Sequence, residues 1–147
     1  MTKLLVSLCN LFPPAPALGL YDGAADSFRW LDLSGVREQI AGATGGCFAH
    51  GHCWTILPLP DARCLLLKLD HRFELRQVFY LQDVRDAHSL IPYEDGFLVS
   101  DTSHNAITRL DLHGSSVSET VLWRADDRRE HCPSGCLDGA SIIVGRA

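Results

Sequence analysis

Residues 106–114 read AITRLDLHG, and two earlier segments follow the same pattern, namely residues 27–35 (SFRWLDLSG) and 63–70 (RCLLLKLD). Each segment is an apolar strand-like run that ends in Leu-Asp and is followed by a turn. The aspartates Asp32, Asp70 and Asp111 are 38 and 41 residues apart. Short strands that recur with a period near 40 are typical of β-propeller blades, each of which has four strands. We therefore predict an all-β fold of propeller blades with four antiparallel strands.

Composition supports a folded β-rich domain and excludes several functions. Hydrophobic residues make up 46% of the 147 residues and charged residues 21%, so disorder is not expected. The net charge is −5, which gives no basic surface for nucleic acid. No apolar run approaches the roughly 20 residues of a membrane-spanning helix. The 12 glycines and 7 prolines favour turns over long helices.

The repeat divides the chain into units within a single partial propeller domain, residues 1–147. Blade 1 covers about 3–42, blade 2 about 43–82, blade 3 about 84–126, and a partial blade 4 about 131–147. In blade 3, turns rich in Gly, Asn and Ser separate four segments whose lengths are typical of strands in β-hairpins. Blade 1 is expected to end in a fourth strand over Val36–Ile40. The predicted strands of blade 3 are Ala87–Tyr93, Phe97–Asp101, Ala106–Leu112 and Val117–Trp123.

Blade 3 also carries a resemblance to a known repeat. Residues 101–111, DTSHNAITRLD, resemble the NHL-type propeller repeat, and residues 86–89, DAHS, are similar to the opening segment of blades in uncharacterised bacterial six-bladed propellers. The second unit departs from this pattern, because residues 58–62, PLPDA, replace the Asp-Thr-x-Asn turn. The resemblance implies a propeller fold. It implies no particular chemistry, since propellers have unrelated functions.

Three and a half blades are too few to close a ring, which needs 4–8. The end blades would then expose faces and edges that favour association. Two explanations stay open: the chain is a fragment of a longer propeller, or a homodimer completes one ring.

Two histidines occupy equivalent positions in successive units. His88 lies seven residues before Asp95, and His131 lies seven residues before Asp138. At the start of an innermost strand they would converge on one mouth of the channel and could bind a ligand or a divalent metal ion (Zn, Fe or Ca). Asp86 is a possible partner of His88, and Ser89 is a further ligand-binding candidate. The alternative is that these histidines only cap strands.

The cysteines and the N-terminal residues indicate the cellular compartment of the protein. Six cysteines follow no spacing of a small secreted scaffold, which favours buried thiols in a cytoplasmic protein. Met1–Ala17 has one Lys and a nine-residue apolar stretch, a weak signal-peptide pattern. We expect a first strand over Leu4–Asn10 instead, and secretion or export to the periplasm is the alternative.

Two functions remain compatible with these patterns. The first is a non-catalytic scaffold that binds an unknown small molecule or protein on its channel face, without nucleic acid or membrane. The second is a metal-assisted hydrolase, similar to a lactonase or lyase, with His88 and His131 as metal ligands. No residue set assigns a catalytic mechanism, so the sequence leaves enzymatic activity undecided.

Overall fold

A computed structural model of the chain describes residues 3–9, 16–104, 106–113 and 116–124. Within these ranges the fold is all-β and contains no helix. Within each sheet, every strand pairs antiparallel with the strand next to it in the sequence, so each sheet is a simple meander. There are three such sheets in the described ranges, and the chain passes through them in order.

Sheet 1 has three strands and the other two sheets have four. Sheet 1 contains β1 (Lys3–Ser7), β2 (Leu18–Asp22) and β3 (Ser27–Trp30). Sheet 2 contains β4 (Thr44–Ala49), β5 (His52–Pro58), β6 (Arg63–Leu69) and β7 (Leu75–Arg85). Sheet 3 contains β8 (Ala87–Tyr93), β9 (Gly96–Asp101), β10 (Ala106–His113) and β11 (Ser116–Arg124).

The central strands of sheet 2, β5 and β6, are buried on both faces because their side chains alternate between two hydrophobic cores. On β6, Leu65 and Leu67 pack into the core shared with sheet 1, whereas Cys64 and Leu66 pack into the core shared with sheet 3. All four are fully buried. A strand that is apolar on both faces belongs inside a stack of sheets, which explains the continuous run of leucines in residues 63–70.

The first strands of sheets 2 and 3 approach very closely. A methyl group on Gly45 would lie 2.6 Å from the backbone N of Leu90 and 2.7 Å from the carbonyl carbon of Ser89. The Thr44 hydroxyl donates a hydrogen bond to the Ala87 carbonyl oxygen at 2.6 Å and so links β4 to β8. The sheets are therefore joined at their first strands, as in a fan of blades.

A buried leucine lies near the end of the predicted third strand in each unit. Leu31 follows β3, Leu69 ends β6, and Leu110 lies in β10; all three are buried. The aspartate that follows β6 organises a turn: Asp70 Oδ1 accepts the backbone N–H groups of Arg72 at 2.8 Å and Glu74 at 3.0 Å. Side-chain capping of this kind is the usual reason for Asp in a turn.

For the second unit the sequence predicts strands over Ala43–Ala49, Cys53–Leu57, Arg63–Leu69 and Glu74–Leu81. These strands and those of the third unit are confirmed, with differences at their ends of up to four residues. The prediction of a fourth strand in the first unit, over Val36–Ile40, was wrong, because this segment is irregular. Val36 is buried and Ile40 packs beside it in the core shared with sheet 2. The Ala41 N–H donates to the Pro58 carbonyl at 2.9 Å, so the segment packs against sheet 2 and does not extend sheet 1. The predicted partial blade at 131–147 lies outside the described residues, and the division of the chain into propeller blades stays a prediction.

The outer face of sheet 1 is apolar and open to solvent. Leu4, Phe28 and Trp30 are each about half exposed, and the rings of Phe28 and Trp30 meet edge to face with centroids 4.7 Å apart. The Phe28 ring lies over Gly19, where no side chain competes for the space. Sheet 1 therefore differs from sheet 2, whose central strands are covered on both faces.

Candidate functional site

Polar side chains gather where β8 begins and β9 ends. We call this group the β8–β9 cluster; its members come from the β7–β8 junction, from β8, from the end of β9 and from the turn after β9. They are Asp86, His88, Ser89, Ser100, Asp101, Thr102 and His104. Because Ala87 pairs with Asp101 in the sheet, these segments lie side by side.

A β-bulge in β8 sets the directions of the His88 and Ser89 side chains. Ala87 is opposite Asp101 and Leu90 is opposite Val99, so two residues, His88 and Ser89, face the single residue Ser100. The Ser89 N–H donates to Ser100 Oγ at 3.1 Å, and the two serine hydroxyls hydrogen-bond at 2.6 Å. Bulges commonly redirect side chains next to functional sites. Here the Ser100 hydroxyl satisfies an N–H group of the bulged strand.

Asp86 adopts a left-handed backbone conformation (φ 47°) at the entry to β8. Its Oδ2 accepts a hydrogen bond from the Thr102 hydroxyl at 2.7 Å, and its Oδ1 lies 3.4 Å from His88 Nε2. The His88 side chain is about half exposed. The carboxylate thus stands between the turn after β9 and an imidazole that is accessible to solvent.

A second carboxylate–imidazole pair lies in the turn that follows β9. Asp101 Oδ1 accepts the His104 backbone N–H at 3.0 Å, and Asp101 Oδ2 lies 2.7 Å from His104 Nδ1. The Asp101 side chain is 1% exposed, whereas that of His104 is 40% exposed. A buried carboxylate bonded to one ring nitrogen fixes the orientation of the imidazole and leaves its other nitrogen for an external partner.

This arrangement can exchange hydrogen bonds and protons with a bound molecule. The two serine hydroxyls are hydrogen-bonded to each other, and within the described residues neither forms the serine–imidazole link that a nucleophilic hydroxyl requires. The cluster offers carboxylates, imidazoles and hydroxyls, but no Lys or Arg. It therefore suits hydrogen bonding to a neutral polar group better than binding of an anion.

The sequence named Asp86, His88 and Ser89, and the structure brings these three together. His131 lies outside the described residues, so its pairing with His88 stays a prediction. Among the residues that the structure describes, no group of three or more potential metal ligands occurs. The pairing of Asp101 with His104 was not predicted, although the Asp-x-x-His spacing in a turn is a signal that could have found it.

The described cysteines are unpaired thiols. Cys9, Cys47, Cys53 and Cys64 are free, and Cys53 and Cys64 are buried. Burial raises the pKa of Cys47 and of Cys53 to about 11. These two side chains are therefore protonated and unreactive at neutral pH.

No protein-family model, no curated protein and no solved structure matches the chain. The NHL-type resemblance therefore stays an interpretation of the sequence. In the ranges that the structure covers, no helix is long and apolar enough to cross a membrane.

Proposed function

We propose that the chain is a propeller-type binding scaffold that holds a neutral, hydroxyl-bearing ligand at the β8–β9 cluster. One observation carries the proposal: two accessible imidazoles, His88 and His104, each lie beside a carboxylate at the same end of sheet 3. Imidazole and carboxylate groups together supply donors and acceptors for hydroxyl groups.

The backbone around these groups supports a binding role. The bulge in β8 and the Asp101 turn are held by side-chain hydrogen bonds, so the polar groups are positioned before a ligand arrives. A preorganised site loses less conformational entropy on binding. The scaffold function needs no nucleophile, which agrees with the mutual hydrogen bond of Ser89 and Ser100.

The test follows the histidine ring signals by NMR during titration with ribose and with glucose. We expect saturable shifts of the His88 and His104 rings, while His71, which lies in the exposed turn after β6, serves as the internal reference. His104→Asn should abolish the response, and His71→Asn should leave it unchanged. Shifts that are equal at all three rings, or no shift at all, would contradict the proposal.

The rival function is a metal-assisted hydrolase with His88 and His131 as ligands of a zinc, iron or calcium ion. Its support is the carboxylate beside His88, because metal-ligating histidines usually have such a partner on the other ring nitrogen. Metal analysis of the purified protein tests it. Stoichiometric metal that is lost in a His88→Ala/His131→Ala double variant would favour the hydrolase over the scaffold.

We also propose a cytoplasmic location, with secretion or export as the alternative. The free state of the four described cysteines supports it, since a reducing compartment keeps such thiols unpaired. Localisation of a C-terminally tagged chain by fractionation tests this directly.

A further inference from the structure

A cavity lies where β6 begins and β7 ends, next to the entry to β8. Its volume is about 350 Å³, within the range of small-molecule sites. Apolar side chains form much of its lining, and two guanidinium groups, a phenol and an amide supply the polar part. The lining residues are Leu59, Arg63, Cys64, Leu65, Tyr80, Leu81, Gln82 and Arg85.

The two arginines are directly opposite each other, which is an unfavourable arrangement without a partner. Arg63 pairs with Arg85 in the ladder, and the next pair is Cys64 with Leu81. Three residues of β7 therefore bulge out between these pairs and place Arg85 across from Arg63. Like charges opposite each other on neighbouring strands destabilise a sheet. Such a local conflict is expected where a site binds something of opposite charge.

The nearby acids leave one guanidinium available. Arg63 Nε donates to Asp61 Oδ2 at 2.6 Å, and both side chains are about half exposed. The Tyr80 hydroxyl donates a hydrogen bond to Glu38 Oε1, and the charge of this carboxylate also interacts with Arg63. Arg85 makes no ion pair with any residue that the structure describes. The charged groups that line the cavity are thus both basic.

We propose that this cavity binds a small organic anion, a carboxylate or a phosphate monoester with an apolar body. Arg85 would bind the anionic group through its paired N–H donors, a geometry that matches both carboxylate and phosphate. The apolar body would lie against the apolar part of the cavity lining. The lining residues of this cavity are not members of the β8–β9 cluster, although Arg85 directly precedes Asp86.

The experiment titrates the full chain with benzoate, with phenyl phosphate and with benzamide as the uncharged counterpart, followed by NMR of the arginine Nε–H groups. We expect a Kd of about 10 mM or tighter for at least one anion, given the size of these probes. The relative affinity of benzoate and phenyl phosphate distinguishes the two ligand classes. Equal binding of benzamide and the anions, or no binding of either anion, would overturn the proposal.

Three variants make the test specific. Arg85→Gln should weaken anion binding about tenfold or more, because a charge-assisted hydrogen bond is lost. Arg72→Gln removes the same charge from the exposed turn after β6 and should leave the affinity unchanged. Asp61→Asn frees Arg63 from its carboxylate and should strengthen binding by up to about fivefold.

Thermal unfolding of each variant shows whether it is folded, and Arg85→Lys, which keeps the charge, should retain an intermediate affinity. If Arg85→Gln binds benzoate and phenyl phosphate as well as Arg72→Gln does, the assignment is wrong. Because the histidine rings of the β8–β9 cluster are observed in the same samples, failure here is distinguishable from failure of the scaffold function.

Discussion

Replacing Gly45 by alanine tests the claim that sheets 2 and 3 join through their first strands. The added methyl group would lie 2.6 and 2.7 Å from backbone atoms of Leu90 and Ser89, so β4 and β8 must separate by several tenths of an ångström. Forced backbone shifts of this kind typically cost about 1–3 kcal/mol. The adjacent hydrogen bond from Thr44 to Ala87 would weaken as well, for about 1 kcal/mol more. The expected loss of unfolding free energy is therefore about 2–4 kcal/mol.

Urea unfolding monitored by tryptophan fluorescence measures this loss, and thermal unfolding should show a decrease in Tm of about 5–15 °C. Gly35→Ala is the matched control, because there the methyl group would meet only the end of the Leu75 side chain at 3.0 Å. A side-chain tip can move where a backbone cannot. If Gly45→Ala is as stable as Gly35→Ala, the contact between the two strands does not have the role assigned to it.

Three further perturbations have defined outcomes. The hydrogen bonds from Glu74, Arg76 and Arg72 lower the pKa of Asp70 to about 2, below its value of about 4 in an unfolded chain. The contribution of the ionised Asp70 to the free energy of unfolding is therefore present above pH 4 and is lost as the pH falls towards 2. Urea unfolding across this range should show that loss in the native protein and a smaller one in Asp70→Asn. Leu66→Ala, at a fully buried position, should cost about 2–5 kcal/mol in the same assay, and a cost below 1 kcal/mol would contradict the second core. At pH 8 iodoacetamide should label the exposed Cys9 faster than the buried Cys53, as peptide mass spectrometry can show; equal rates would contradict the raised thiol pKa.

Much of the fold was predictable because its signals are local. The strands of sheets 2 and 3 are short apolar runs separated by turn residues, and the Leu-Asp repeat marked the third strand of each sheet. Val36–Ile40 was wrongly predicted for a physical reason. Its two apolar residues, Val36 and Ile40, show that the segment contributes to a core, but they do not show whether it pairs with β3 or packs on sheet 2.

The candidate site was only partly predictable. Asp86, His88 and Ser89 are neighbours in the sequence, so any turn or strand end brings them together. The pair of Asp101 with His104 depends on the turn after β9, and the approach of Arg63 to Arg85 depends on a bulge of three residues in β7. Neither follows from apolar periodicity, since bulges and turn geometry are set by contacts between strands.

The leucine run of β6 has a consequence for accurate strand pairing. In most antiparallel sheets a slip of one residue is prevented because it would turn polar side chains into the core. In β6 the same slip would exchange Leu65 for Leu66 and bury leucine either way. Correct alignment must then be enforced at the two ends of the strand, by the bulge beside Arg63 and by the capped turn at Asp70. A substitution that disrupts either end would allow β6 to pair out of register and leave unpaired strand edges exposed. Aggregation during refolding would then reveal the misalignment before any change in the native state.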